Sequence, residues 1–389
     1  MKEKPLRRVQ KFNLCNVTRI LAVLTVAGFA TKGRASAAGE PGFDDRVNAL
    51  IEPLANTLSN FVFYKVPVFG ADLPWIVLWL VFAAVFFTFY FNFLSFTGFR
   101  HAFHLLRGDY SKLSHEGEVS HFQALSTALS GTVGIGNIGG VAVLISVGGP
   151  GAAFWMLLAG FLSMSTKFAE CVAGVKYRKV NANGSVSGGP MYYLEQALKI
   201  RNMAWAAKPL GAFYALAIVI GCFGIGNMFQ SNQAFEQIVF ITGGEQSRFA
   251  GLGWLFGLLI ALLVGVVIIG GIKSIAKVTS KLVPFMALTY IIGAVAIISF
   301  NAERIPAALL AIVTEAFNPE AVGGGMLGVM ILGFQRAVFS NEAGIGSAAI
   351  AHSAVRTSEP ITEGYVALME PFIDTVIICS LTALVILTT

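Results

Sequence analysis

The stretch HFQALSTALSGTVGIGNIGGVA, from His121 to Ala142, is the part of the sequence that decides the expected fold. It belongs to an apolar segment, yet five glycines lie between Ser130 and Gly140. Each glycine in a helix interior costs roughly 1 kcal/mol relative to alanine, so we expect the helix to loosen or break there. A break leaves free N–H groups on one half-helix and free carbonyls on the other. These groups suit a carboxylate and a small cation, respectively.

The overall composition places this stretch in a membrane protein. The chain has 389 residues, of which 56% are hydrophobic and 12% charged, and its mean hydropathy is +0.72. Soluble domains are about a quarter charged, so this chain has too few polar groups to cover a surface that faces water. The 4 cysteines, 32 phenylalanines and aperiodic glycines exclude a disulfide scaffold, a disordered chain and a collagen. An integral membrane protein, with the lipid bilayer as its partner, remains.

Eight apolar segments come close to or exceed the roughly 20 residues that a helix needs to cross a bilayer. Their continuous apolarity, without strict alternation, favours helices over the strands of a barrel. The expected fold class is therefore an all-α integral membrane protein, a polytopic helix bundle. The segments are residues 73–97, 121–148, 151–175, 209–240, 249–272, 282–300, 324–352 and 366–388.

The amino terminus has the pattern of a secretory signal. Basic residues precede a short apolar run, Ile20 to Ala30, and Ala35-Ser36-Ala37 follows as a cleavage site. We expect a cleavable signal peptide over residues 1–37. A retained first helix is the alternative, although the apolar run is shorter than a span. Residues 38–72 then form a periplasmic segment, and residues 73–389 form the transmembrane domain.

The basic residues predict the orientation. If the mature amino terminus is outside, the inside loops 98–120, 176–208, 273–281 and 353–365 contain 13 Lys and Arg, against 4 in the outside segments. Cytoplasmic loops carry such an excess, which predicts a multi-pass protein of the bacterial inner membrane. The charge is spread over separate loops without interleaved aromatics, so no nucleic-acid partner is expected. No protein partner is inferred.

Polar side chains within the glycine-rich spans are the candidate site. Asn137 lies inside the first glycine cluster, where an amide is costly without a partner. The string Gly224-Ile225-Gly226-Asn227 repeats GIGN, and Gln230, Asn232 and Gln233 follow it. The alternatives are glycine notches for helix packing and amide contacts between helices. The pattern Gly134-x-Gly136-x-x-Gly139 also fits a dinucleotide fingerprint, but that motif requires a soluble βαβ unit.

A third segment is interrupted by Gly323-Gly324-Gly325 and by FSNEAGIGS, Phe339 to Ser347. Here Glu342 and Arg336 could pair only across a bend, and we expect them to have a structural or gating role, with direct substrate or ion contact as the alternative. Four further charges lie within about two turns of an expected cytoplasmic end, where snorkelling is the expected behaviour. They are Lys167, Glu170, Glu370 and Asp374.

Signatures of catalysis are absent from the sequence. No HExxH, GxSxG, P-loop or CxxC motif occurs, and His101 and His104 have no acidic residue expected beside them. We therefore expect neither an enzyme nor a cofactor or resident metal. The cysteines are expected to be small buried hydrophobic residues. They are Cys15, Cys171, Cys222 and Cys379.

The motifs together resemble the alanine/glycine:cation symporter family. That resemblance implies sodium-driven transport of small neutral amino acids, alanine or glycine, with sodium as the coupling ion. It also implies the LeuT-like architecture of two inverted five-helix repeats, with 73–97 as an extra helix and 121–148 as the first core helix. The matching strings are His121 to Ala142, GGPGAAFWM (Gly148 to Met156), GVKYR ending at Arg178, SGGPMYY (Ser187 to Tyr193), FGIGNMFQSNQ (Phe223 to Gln233), KLVPFM (Lys281 to Met286) and FSNEAGIGSAAIAHSA (Phe339 to Ala354).

The resemblance also implies roles for individual residues. Backbone amides near Ile135 and Gly136 would meet the substrate carboxylate, and Gln230 would contact the substrate. Asn137 would coordinate sodium or substrate. Carbonyls around Ser130 and Val133 would help to hold sodium. Met326, beside the glycine run 323–325, would line the substrate site at the break of the sixth core helix.

The number of spans departs from the family pattern. Two repeats need ten core helices, whereas eight spans less the extra one leave seven before Thr389. We therefore expect a carboxyl-terminally incomplete second repeat, in a fragment or a truncated product. The alternative functions are a non-transporting remnant, an amino-acid sensor and a channel-like protein. The interrupted helices with amides at mid-depth argue against a channel, and the sequence shows neither a carbonyl filter nor a ring of charges that would decide the question.

Overall fold

Helices dominate the computed structural model, which describes residues 52–389 apart from 54–55, 69–70, 111–115 and 319–324. Residues 58–389 form one unit. The predicted signal peptide, residues 1–37, lies outside the described residues, and so do Cys15, Gly323, Gly324 and much of the predicted periplasmic segment. Mostly helical structure with several apolar helices agrees with the predicted polytopic bundle.

Two short antiparallel hairpins and a series of helices make up the described chain. The strands are β1 (Lys65–Val68), β2 (Ala71–Pro74), β3 (Lys179–Val180) and β4 (Val186–Ser187). The helices up to the first π-helical segment are α1 (Trp75–Tyr90), α2 (Leu94–Thr97), α3 (Phe99–Arg107), α4 (His121–Thr132), α5 (Ile135–Gly148), α6 (Gly151–Lys176), α7 (Pro190–Ile200) and α8 (Ala204–Phe223). The helices after it are α9 (Gln230–Ile241), α10 (Gly253–Ile268), α11 (Gly271–Phe300), α12 (Ile305–Ala316), α13 (Gly325–Asn341), α14 (Ser347–His352), α15 (Pro360–Ala367), α16 (Met369–Pro371) and α17 (Ser380–Thr388). The π-helical segments are Gly224–Phe229 and Phe372–Cys379, and the 3₁₀ turns are Gly244–Gln246 and Ala302–Arg304.

The predicted break in the glycine-rich span is confirmed. Helices α4 and α5 meet at an angle of 43°, and Val133 and Gly134 lie between them. The first half-helix begins with a capping box in which Ser120 Oγ accepts a hydrogen bond from the Gln123 amide and Gln123 Oε1 accepts one from the Ser120 amide. The second half-helix has no serine or threonine cap, and Asn137 Oδ1 accepts the Gly134 N–H at 2.7 Å instead. The glycines thus end one helix, and a second helix begins after two residues.

Fewer helices than the eight predicted segments have the length and composition to cross a membrane. Among the described residues, four continuous helices qualify: Gly151–Lys176, Ala204–Ile241, Gly271–Phe300 and Pro360–Thr388; the bent pair α4–α5 makes a fifth if it is one span. The segment 73–97 is broken because Asn92 and Phe93 adopt positive φ after Tyr90. The segment 324–352 is broken at Glu342, which also has positive φ. The apolar composition of these segments therefore predicted longer continuous helices than the structure contains.

The predicted loops also contain helices. Residues 273–281 lie within α11, and α3 and α7 lie in two other predicted loops. Helix α12 has no counterpart among the eight predicted segments. It has 12 residues, fewer than the roughly 20 that a helix needs to cross a bilayer, so a prediction based on apolar segments of that length does not include it.

Helix α6 is the central element of the bundle, because it packs against α1, α12, α13, α14 and α15. The contact with α13 depends on Gly333. A Cβ atom at this position would lie 2.6 Å from the Cβ of Trp155 and 2.8 Å from the carbonyl oxygen of Ala152. The two helices can approach this closely only if residue 333 has no side chain.

We expect Gly333→Val to lower the free energy of unfolding by at least about 1–3 kcal/mol, the usual cost of overpacking a core. Thermal unfolding of the purified chain in detergent measures the change. Gly265→Val is the matched control, since a Cβ atom at Gly265 has open space around it. Equal midpoints for the two variants would contradict the close approach of α6 and α13.

The part of the chain from α8 to α10 is much more exposed than α6. Many of its large apolar side chains are accessible, including Phe213, Leu262 and Ile269. Cys222 is exposed on this part, against the prediction for the cysteines, whereas Cys171 and Cys379 are buried as predicted. Apolar exposure of this kind suits a helix surface in contact with lipid.

Candidate functional site

A cavity of about 510 Å³ lies beside the break between α4 and α5. Its wall comes from the break itself and from α5, α9, α11 and the second π-helical segment. Most of this wall is apolar, and its side-chain polar groups are amides and one phenol. The lining residues are Val133, Gly134, Ile135, Asn137, Ile138, Gly139, Gln230, Gln233, Ala234, Gln237, Met286, Ala287, Tyr290 and Ile378.

Gln230 connects α9 with the broken helix. Its Oε1 accepts a hydrogen bond from the backbone N–H of Ile135 at 3.3 Å. A Cβ atom at Gly134 would lie 3.1 Å from the same oxygen, so a larger residue at position 134 would displace the glutamine. Glycine at the break thus allows the close approach of Gln230.

The second GIGN string does not break its helix. Residues Gly224–Phe229 form a π-helical segment that joins α8 to α9. One added residue in the turn rotates the side chains of α9 about the helix axis, and π-helical turns occur frequently at functional sites. Gln230, the first residue after this segment, lines the cavity. Asn227 and Asn232 are exposed and do not line it.

Asn137 is buried, and its side-chain amide has partners on three elements. Its Nδ2 donates to Asp374 Oδ1 at 2.7 Å and to Ser340 Oγ at 3.0 Å, while its Oδ1 accepts the Gly134 N–H. Asp374 Oδ2 in turn accepts from Ser340 at 2.8 Å and from Thr375 at 2.9 Å. Asn137 therefore joins the broken helix to α13 and to the segment before α17.

Asp374 is fully buried, so the prediction that it snorkels to the membrane surface is wrong. Snorkelling requires a long aliphatic stem, which aspartate lacks. The sequence did contain the relevant signal, since a short carboxylate within an apolar span needs a hydrogen-bonding partner inside the protein.

The structure brings together most of the predicted site residues. Val133, Ile135, Asn137 and Gln230 line one cavity. The remaining three do not line it. Gly136 lies against Phe339 and Ser340, Ser130 is exposed and donates to the carbonyl of Thr127, and Met326 is partly exposed on α13.

A second group of buried polar residues lies near the beginning of α4. Lys167 Nζ donates to Glu370 Oε1 at 3.0 Å, and both side chains have no exposed area. Glu170 is also buried and accepts from the backbone N–H groups of Gly344 and Ala349. The snorkelling prediction is therefore wrong for Lys167, Glu170 and Glu370. Their partners lie far away in the sequence, and residue spacing gave no signal for these pairs.

The structure also gives the partners of Glu342, and it corrects the expectation for His104. Glu342 accepts a hydrogen bond from Ser347 Oγ, and within the described chain it forms no ion pair with Arg336. His104 Nδ1 lies 2.8 Å from Asp109 Oδ2, although no acidic residue was expected beside it. That pair is partly exposed and lies on the surface.

These features define a class of protein: a multi-pass helical membrane protein with an amide-lined cavity at a broken helix, as in secondary transporters. The chain belongs to the sodium:alanine symporter family, whose model matches residues 56–389. The prediction of this family is confirmed, and the family and its named relatives are transporters and not enzymes.

The curated relatives agree with this assignment. The sodium/alanine symporter AgcS of Methanococcus maripaludis is 39% identical over 333 residues, which are 85% of this chain and 69% of AgcS. A Haemophilus influenzae protein named as an uncharacterized transporter is 43% identical over 279 residues, 70% of this chain. The amino-acid carrier protein AlsT of Bacillus subtilis is 34% identical over 309 residues, 79% of this chain and 63% of AlsT. The chain spans 58% of the length of the Haemophilus relative.

Proposed function

We propose that the chain takes part in sodium-coupled symport of alanine or glycine by alternating access. The observation that carries the proposal is the cavity of about 510 Å³ at the break between α4 and α5. The amino-terminal end of α5 favours a carboxylate, because its first N–H groups lack helical acceptors. The neutral amides around the cavity suit the rest of a small zwitterion, since they add no net charge.

The proposed substrate contacts follow the cavity wall. The N–H groups of Ile135 and Gly136 take the carboxylate, and Gln230 contacts the substrate when it turns away from Ile135. Met326 would join this set from α13 on rearrangement of the bundle. Sodium would be held by the carbonyls of Ser130 and Val133 at the end of α4 and by Asn137 Oδ1, which has a second lone pair.

The proposed architecture is the LeuT-like one of inverted five-helix repeats, with the bent pair α4–α5 as its first core helix. We also propose that the mature amino terminus is outside the bacterial inner membrane, after removal of residues 1–37. Coupling requires that sodium and the amino acid each raise the affinity for the other. A cation site and a carboxylate site on the two sides of one helix break would supply that interaction.

Binding of labelled alanine to the purified chain, in sodium and then in potassium salts, tests the proposal. Tighter binding in sodium supports coupled sites at the break. Equal binding in the two salts would contradict coupling. Absence of binding in both salts would contradict the proposal that these residues form the substrate site.

Gln230→Ala is expected to weaken alanine binding by about 1–3 kcal/mol, or about 5- to 150-fold, because the substrate and the Ile135 N–H both lose a partner. Equilibrium binding measures the effect. Gln196→Ala, at an exposed position on α7 outside the cavity wall, is the matched control. Similar affinities for the two variants would remove Gln230 from the proposed site.

A further inference from the structure

Five buried side chains near the beginning of α4 form a cluster that the proposed transport site does not use. We call it the histidine–carboxylate cluster. Its side chains are at most 5% exposed, so their hydrogen bonds and charges must be satisfied within the protein. The members are His121, Lys167, His352, Glu363 and Glu370.

Glu363 lies between the two histidines. Its Oε2 is 2.5 Å from Nδ1 of His121, and its Oε1 is 2.5 Å from Nδ1 of His352. When Nδ1 of each histidine donates to this carboxylate, the proton of a neutral ring is used there. Nε2 of each neutral ring would then be a bare acceptor.

The Nε2 atom of His352 faces a second carboxylate, that of Glu370. The distance from His352 Nε2 to Glu370 Oε2 is 3.9 Å. Within the described part of the chain, four buried side-chain polar atoms lack a hydrogen-bond partner, and these two are among them. Two lone pairs that face each other in a dry interior repel, whereas a proton on Nε2 would turn the repulsion into attraction.

The balance of charge also requires a proton. Lys167 balances one of the two carboxylates, Glu363 and Glu370, which leaves one negative charge when both histidines are neutral. An unbalanced charge of this kind costs several kcal/mol in a protein interior. One imidazolium ion at His352 would make the cluster neutral.

The groups around the cluster do not remove this deficit. Arg178 adds one positive charge, whereas Glu170, Glu342 and Asp374 add three negative charges when they are ionised. Cys171 and Tyr214 are neutral in their protonated forms. The charged and titratable groups that face the cluster from outside are Glu170 and Cys171 on α6, Arg178 after α6, Tyr214 on α8, Glu342 before α14 and Asp374 in the π-helical segment before α17.

We propose that His352 and Glu370 form a binding site for one proton, held on His352 Nε2 and directed at Glu370 Oε2. The site lies between α14 and α16, and through Glu363 and His121 it reaches the first turn of α4. The bound proton therefore favours the packing of α4, α14, α15 and α16 around one cluster. Its release returns one negative charge to the interior and loosens that packing.

The protonation state of the histidine rings tests this proposal. In the full chain, labelled with ¹⁵N at the ring nitrogens and purified in detergent, NMR distinguishes an imidazolium from a neutral ring. At about pH 7.5, where an unperturbed histidine is mostly neutral, His352 is expected to carry protons on both nitrogens. The His352→Gln variant assigns the signal; if that variant does not fold, variants at the other four histidines assign it by elimination.

The Glu370→Gln variant, studied by the same NMR measurement, tests whether the second proton of His352 depends on the Glu370 carboxylate. The new side-chain NH₂ can donate to Nε2 of a neutral ring, so His352 is expected to lose its second proton. Glu359→Gln, at an exposed position, is the control and should leave the His352 signal as it is. The measurement uses neither substrate nor sodium, and its result is independent of the proposed transport.

A wild-type His352 with one protonated nitrogen at about pH 7.5 would overturn the proposal. So would a doubly protonated His352 that is unchanged in a folded Glu370→Gln variant, because the proton would then not depend on the second carboxylate. The wild-type spectrum decides the first point even if the glutamine variant does not fold.

Discussion

Lys167→Met is expected to lower the free energy of unfolding by about 3–5 kcal/mol, the largest single effect that the structure predicts. The change removes the positive charge that lies 3.0 Å from Glu370 and leaves a carboxylate with no exposed area unbalanced. The thermal midpoint of the purified chain in detergent reports the loss. The methionine keeps most of the volume of the lysine stem, so the effect comes from charge and not from a cavity.

Two further variants test this interpretation. The double variant Lys167→Met/Glu370→Gln should recover most of the stability, because both charges are then absent. Lys199→Met removes an ion pair with Glu195 on α7, in which the lysine side chain is 43% exposed. Such pairs contribute about 0–1 kcal/mol. If both lysine variants had the same small effect, the buried pair would contribute no more than a surface pair.

Asn137→Ala is expected to lower the free energy of unfolding by about 2–3 kcal/mol, because buried polar groups lose their partner. Asp374 loses its 2.7 Å donor, Ser340 loses a donor at 3.0 Å, and the Gly134 N–H loses its acceptor. Thermal unfolding and alanine binding should both be measured. The expected result is a loss of stability larger than that of Gln230→Ala.

The comparison separates the two amides of the candidate site. Asn137 is committed to contacts within the protein, whereas Gln230 lines the cavity with one contact at 3.3 Å. Asn232→Ala, which changes an exposed amide on α9, is the control for loss of an asparagine. A fully stable Asn137→Ala variant would contradict the role of Asn137 in joining α5, α13 and the segment before α17.

The sequence predicted the position of the break well because its cause is local. Glycines weaken a helix where they occur, and the break at Val133 and Gly134 lies inside the predicted cluster. The GIGN string that begins at Gly224 was harder to interpret. The same four residues lie at a helix break in the first string, whereas at Gly224 they form part of a π-helical turn and the helix continues. The outcome depends on the packing around each span, which four residues do not encode.

The buried charges could not be predicted in the same way. Whether Lys167 or Asp374 reaches the membrane surface depends on the partner that lies beside it, and those partners are more than 200 positions away. A single sequence gives the distance of a charge from the end of its own helix. It does not give the elements that pack against that helix, and the assignment to snorkelling failed for this reason.

The long separation of the buried polar pairs has a consequence for synthesis of the chain. His121 and Glu363 are 242 positions apart, and Asn137 and Asp374 are 237 apart. Ribosomes add about 5–20 residues per second, so roughly 12–50 s pass between the two members of a pair. During that interval the first bent helix is already made, while its permanent partners do not yet exist. Until residues 363–374 are synthesised, water, lipid headgroups or the insertion machinery must satisfy its amide and imidazole groups. The earliest helices can therefore reach their final packing only after much later helices have been made.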